Sequence, residues 1–183
     1  MSATPGRRND GSRRDLLIDT ALEVIAEHGV AGTTHRRVAA AAGVPLGSTT
    51  YYFADLGDLL RAAFGRLADQ VSERFEARLA PARTPAEAID AITDYILFDL
   101  EDPREGALSY EFYAYAIRHP EVRSMVEAWF ARSQIALSRY FDAETARLVD
   151  TMIEGLCTYR GLASGIDEAQ IRRALALLSP TVS

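Results

Sequence analysis

Two arginines, Arg36 and Arg37, precede a small apolar run. A glycine turn at Gly43 then leads into Pro45-Leu46-Gly47-Ser48-Thr49-Thr50-Tyr51-Tyr52. Residue types in this order can recognise nucleic acid. A guanidinium forks onto guanine O6 and N7 or pairs with a phosphate, and Ser, Thr and Tyr hydroxyls suit phosphate oxygens. Apolar atoms of Pro45, Leu46 or Thr49 could meet thymine methyl groups. Alanine-rich helices around a glycine turn also form plain packing hairpins, and the pattern alone leaves both readings open.

Nothing else in the chain points to catalysis. The histidines at 28, 35 and 119 are scattered, and Cys157 is the one cysteine, so no metal cluster or intramolecular disulfide is expected. There is no glycine-rich phosphate loop, no nucleophile elbow and no paired-carboxylate motif. The expectation is a protein that is not an enzyme and needs no cofactor.

The elements that must position the arginines and hydroxyls read as helices throughout. Leu17, Ala21, Val24, Ile25 and His28 follow the 3.6-residue period, with Gly29 as a stop. Thr33 or Thr34 can cap a short helix ending at Gly43, and Pro45 opens another to about Tyr51. Asp55 starts a long helix to about Leu79. Thr84-Pro85-Ala86-Glu87 is a strong helix start, and Asp102, Asp142 and Asp167 mark three more. Pro120 divides one helix from the next, which is expected to run to about Tyr140. No alternating β-branched run competes, so the fold class is all-α with nine or ten helices. Residues 1–11, rich in Gly, Pro, Ser, Asn and Arg, are expected to form a disordered basic arm. A small head over 12–54 then precedes a larger helical body over 55–183.

The net charge of −6 argues at first against a nucleic-acid partner, but its distribution matters more. Residues 1–53 carry six arginines against five acids, a net of +1. The remainder carries fourteen arginines against twenty-one acids, a net of −7. No apolar stretch approaches membrane-spanning length and the N-terminus lacks a signal-peptide centre, so a cytoplasmic protein is expected.

Residues 29–64, GVAGTTHRRVAAAAGVPLGSTTYYFADLGDLLRAAF, resemble the DNA-binding head of the tetracycline-repressor (TetR) family of bacterial transcription regulators. Thr33, Arg36, Val38-Ala39, Ala42-Gly43-Val44, Gly47-Ser48, Tyr52-Phe53 and Leu59 carry the match. The resemblance implies a helix-turn-helix whose recognition helix is Leu46 to Tyr52. Arg36, with Arg37 beside it, would contact a base or phosphate. Pro45, Leu46, Ser48, Thr49 and Tyr51 would lie along the major groove, and Thr34, Thr50 and Tyr52 would hold phosphates. The chain departs from the family pattern at Thr49-Thr50, where an apolar residue and a tyrosine are common. It departs again at Leu56, where a phosphate-binding lysine is common.

The resemblance further implies a repressor that binds a (pseudo)palindromic double-stranded operator as a homodimer and is released by a small-molecule effector. The effector pocket is expected among the middle helices, at Tyr95, Phe98, Tyr110, Glu111, Tyr113, Ile117 and Trp129, and an apolar or aromatic ligand would suit it. The dimer is expected to pair through the last two long helices, using Val122, Val126, Phe130, Leu148, Met152 and Leu156. The alternative is a helical small-molecule-binding or protein-interaction module whose head has lost DNA affinity.

Overall fold

The computed structural model describes residues 6–99, 102–163 and 166–178, and the side chains of these except 6–10 and 99. Among the described residues there are nine α-helices, one π-helical turn and no strand. The first four helices are α1 (Gly6–Gly32), α2 (His35–Ala41), α3 (Leu46–Tyr52) and α4 (Leu56–Leu79). After them come α5 (Pro85–Asp94), the π turn Tyr95–Asp99, α6 (Pro103–Arg118), α7 (Pro120–Leu137), α8 (Ala143–Leu162) and α9 (Glu168–Leu178). No helix among the described residues is long and apolar enough to cross a membrane.

The helix starts follow from local capping chemistry. The Thr84 hydroxyl accepts the Glu87 amide, while the Glu87 carboxylate accepts the Arg83 amide at 2.7 Å. Asp142 caps α8 through the amides of Glu144 and Thr145, and Asp167 and Gln170 exchange bonds ahead of α9. Helix α1 begins at Gly6, within the stretch expected as an arm, and residues 1–5 lie outside the described residues. Gly29 does break the helix, at φ 68 and ψ 171, and one further turn follows it to Gly32. Helix α7 stops at Leu137, short of Tyr140. The Tyr140 hydroxyl instead lies 2.8 Å from the Leu79 carbonyl and 3.2 Å from that of Ala82, where α4 ends.

The chain forms two compact units. One comprises the described residues up to Ala68 together with Ala107–Val122; the other comprises Asp69–Gly106 and the residues from Arg123 onward. In the first, α1 buries Leu17, Ala21 and Ile25 with Val38 of α2, Phe53 and Leu59. Phe64 of α4 stacks on Phe112 of α6 at 4.6 Å, both fully buried. The second unit has its own core, in which Phe75, Ile92 and Ile96 meet Leu137, Val149 and Ile171.

A carboxylate is buried in that second unit. Asp150 of α8 is 6% exposed and accepts hydrogen bonds from Ser133 Oγ at 2.5 Å and Gln134 Nε2 at 3.1 Å, both on α7. Burial pushes its carboxyl above the ordinary value, against the opposing pull of those two donors. A folded-state pKa raised above the unfolded one gives stability that is fully present below the unfolded value and is lost as pH rises through the folded value. Asp150→Asn removes the titration and keeps an acceptor for Ser133, while Gln134 can turn its amide to accept from the new side chain. The variant should melt above the parent at pH 7, and the difference should close toward pH 4. Thermal melts across that range decide it, and a constant difference at every pH would contradict the assignment.

Candidate nucleic-acid interface

The segment from α2 to α3 is held by its own backbone chemistry. Thr34, extended at φ −142, caps α2 by accepting the Arg37 amide at 3.1 Å. Val38 and Ala39 turn inward and are 0% and 2% exposed. Past Ala42 the chain reverses at Gly43, whose φ of 66 is left-handed and suits glycine. A Cβ there would meet nothing within 4 Å, so backbone conformation, not space, selects the residue. Val44 donates to the Ala39 carbonyl at 3.0 Å, which closes the turn. Pro45 then caps α3 with its carbonyl accepting the Ser48 amide.

Helix α3 divides cleanly by face. Leu46, Gly47, Thr50 and Tyr51 are exposed, Tyr51 at 73%, while Thr49 and Phe53 are buried. Thr49 was expected along the groove, but its side chain faces inward and is fully buried. Its hydroxyl donates to the Leu46 carbonyl at 2.8 Å and its methyl is packed inward, so the polar group costs the core little. Ser48 and Tyr52 are half-buried, and the Tyr51 and Tyr52 rings meet edge-on at 4.8 Å. A Cβ on Gly47 would also meet nothing, which leaves the backbone of the first turn open to close approach.

The cations differ in availability. Arg37 Nη1 donates to the Gly32 carbonyl and so closes the end of α1. Arg36, beside it, is exposed and makes no hydrogen bond or ion pair seen among the described residues. Arg14 of α1 sets its guanidinium 5.2 Å from the Phe53 ring centroid, at the end of α3. A short helix with an apolar and hydroxylic outer face, flanked by arginines, is the kind of surface that enters a major groove and grips phosphates beside it.

The residues expected to line a pocket fall in different places. Tyr110, Glu111, Tyr113 and Ile117 belong to the first unit. There Ile117 is 74% exposed, and the Glu111 carboxylate accepts the Val30 amide at 2.9 Å. Tyr95, Phe98 and Trp129 belong to the second unit, where Tyr95 packs edge-on to Phe75 at 5.0 Å and Phe98 is 59% exposed. Burial pushes the Tyr95 phenol strongly upward; Cys157, Glu105 and Glu154 add to the shift and Arg74 opposes it. A groove of about 580 Å³ also lies in the second unit, with Arg74 and Arg78 of α4 and Glu87, Asp90 and Asp94 of α5 on its walls.

Of the expected interface residues, Val122 and Leu156 are buried in the chain's own cores. Val126, Phe130 and Met152 are half-buried, and Leu148 is 48% exposed. The exposed apolar stripe on α8 runs Leu148, Met152, Gly155, Tyr159, Leu162, with Tyr159 and Leu162 at 52% and 75%. Its alternating four- and three-residue spacing is a heptad seam that the sequence already carried. Ile135 of α7 is 69% exposed beyond the small residues Ala128 and Ala131.

Residues 17–63 match the model of the tetR family of bacterial regulatory proteins, and residues 83–181 that of the tetracyclin repressor-like C-terminal domain. The HTH-type transcriptional regulator CymR of Pseudomonas putida is 30% identical over 165 residues, 87% of this chain and 74% of its own. The crystal structure of SCO7518 from Streptomyces coelicolor A3(2) superposes with a TM-score of 0.87 at 40% identity, covering 93% of this chain and 99% of that one. The multidrug binding protein EbrR, complexed with imidazole, gives 0.77 at 34% identity over 93% and 97% of the two chains. EbrR has also been crystallised with ethidium, proflavin and malachite green.

The two open glycines of the interface should respond oppositely to alanine. Gly43→Ala places a side chain at a left-handed position and should cost about 1–2 kcal/mol. Gly47→Ala removes backbone freedom within a helix, into free space, and should gain about 0.5–1 kcal/mol. Urea unfolding of both variants measures the contrast.

Proposed function

The chain belongs to the tetR family of bacterial regulatory proteins, and we propose that it is a repressor that holds a two-fold-symmetric operator as a homodimer until an effector releases it. The observation that carries the reading is the outer face of α3, with Leu46, Gly47, Thr50 and Tyr51 open and uncommitted Arg36 beside it. Leu46 and Tyr51 would lie along the major groove, and Thr34, Thr50 and Tyr52 would hold phosphates. Arg36 would fork onto a base or phosphate.

One recognition helix covers a half-site, so two copies must present α3 about 34–36 Å apart. The stripe on α8 and Ile135 on α7 would pair the copies, with Gly155 giving room for close helix approach. The effector would bind the second unit. EbrR, complexed with ethidium, proflavin and malachite green, supports an aromatic ligand. Release requires that the effector bind the non-operator state more tightly, since equal affinity for both states shifts nothing. The protein would act in the cytoplasm, where the operator is.

A second reading, a helical ligand-binding module without operator affinity, rests on Leu56. It stands half-buried at the start of α4, where a phosphate-binding cation is common in the family.

Selection from a random duplex library at low and near-physiological salt separates the two readings. An inverted repeat with half-sites one helical turn apart is expected. Arg36→Ala should weaken binding to it by about 1–3 kcal/mol if the contact is a bidentate base pair. Failure to enrich any sequence at low salt would leave the second reading. Tyr159→Asp puts a charge into the α8 stripe and should give a monomer by sedimentation, with operator affinity lost at the same time.

A further inference from the structure

We infer that Glu111 is a positioning residue for operator binding: from α6 it holds the backbone at the break in α1, and so fixes where α2 and α3 begin. The inference rests on the operator-binding reading above.

The break creates the need. With Gly29 at φ 68 and ψ 171, the amide of Val30 is no longer aligned with a carbonyl one turn back. It donates instead to Glu111 Oε2 at 2.9 Å, across 81 residues of chain. The surrounding bonds are local: Thr33 Oγ1 donates to the Gly29 carbonyl at 2.8 Å, the Thr33 amide donates to the Val30 carbonyl at 3.1 Å, and Arg37 donates to the Gly32 carbonyl. They tie the break to α2, whereas Glu111 ties it to α6. The carboxylate has a firm base, because its neighbour Phe112 is fully buried and stacked on Phe64. It also fills the room that glycine leaves, since a Cβ on Gly29 would lie 2.9 Å from Glu111 Oε1. Its loss would leave the hydrophobic cores in place but free the corner from which α2 and α3 are hung.

Electrostatics alone predicts the opposite sign. Removing an acid from a DNA-binding unit should strengthen its attraction to phosphates. A positioning role predicts weaker operator binding on removal, and recovery when an uncharged acceptor is restored.

The experiment titrates full-length protein against the operator that the parent selects. Glu111→Ala should bind about tenfold more weakly, while its affinity for unrelated duplex stays level or rises. Glu111→Gln, which keeps a carbonyl acceptor, should bind as the parent does or more tightly. Hydrogen exchange of the Val30 amide should quicken in the alanine variant alone. Operator binding by Glu111→Ala at parental strength, or a loss by Glu111→Gln equal to that by Glu111→Ala, overturns the inference. If the alanine variant does not fold, Glu111→Met, of similar length and without the acceptor, takes its place with the same expectations. If the parent selects no operator, it is the operator-binding reading that fails. Val30 exchange then judges the clamp by itself, and an unchanged rate on removing the carboxylate overturns it.

Discussion

Backbone polar groups left over where a helix breaks must find partners, and the first unit is organised around one such break. Gly29 turns α1 out of helical geometry, which frees an amide on one side and carbonyls on the other. The partners come from side chains of very different origin: a threonine four residues on, an arginine of the next helix, and a glutamate from α6. The α2–α3 pair inherits its starting direction from that small set of bonds. Its own interior, Val38, Ala39, Thr49 and Phe53, is small and shares its core with Leu17, Ala21 and Ile25 of α1.

Acidic charge near a DNA-binding surface is tolerable when it is locally neutralised. Asp15 and Asp19 on α1 both meet Arg66 of α4, at 2.5 and 2.8 Å. Such exposed pairs add little stability, but the single guanidinium offsets one of the two negative charges that a phosphate would feel. The available cations, Arg36 beside α3 and Arg14 over Phe53 at its end, therefore count for more than the net charge of the chain suggests. Arg37 shows the limit of counting arginines. It is as exposed as its neighbour, yet its guanidinium is committed to the Gly32 carbonyl.

Chemistry confined to a few neighbouring residues was legible in the sequence, and chemistry that depends on distant partners was not. The starts of α5, α8 and α9 follow from Thr84, Asp142 and Asp167, because a cap and its amides lie within three residues. Gly43 was equally plain, since a left-handed turn favours glycine wherever it occurs. Thr49 was misplaced for a reason of length. Seven residues make two turns, too few for the apolar period to fix which side of α3 faces inward. Glu111 and Tyr140 were unreadable because their partners, Val30 and Leu79, stand 81 and 61 residues away. The π turn after α5 had no local signal, although Arg160 of α8 bonds to its Leu97 carbonyl.

Helix α8 poses a packing problem that a single chain leaves unsolved. Its inner face, Ala146, Val149, Ile153 and Leu156, is buried in the core, with Asp150 satisfied there by two donors from α7. Its outer face is apolar as well, from Leu148 to Leu162, and stands in water. A helix apolar on two sides resembles one buried in a larger assembly more than one at a protein surface. The two faces also differ in texture. The inner one is filled with branched side chains, while the outer one has a gap at Gly155 between larger groups at Met152 and Tyr159. A gap flanked by large side chains is self-complementary, because two copies related by a two-fold axis can each place a knob where the other leaves a hole. The polar node at Asp150 fixes α7 against α8 from inside, and so would hold both helices in one register for the homodimer proposed above.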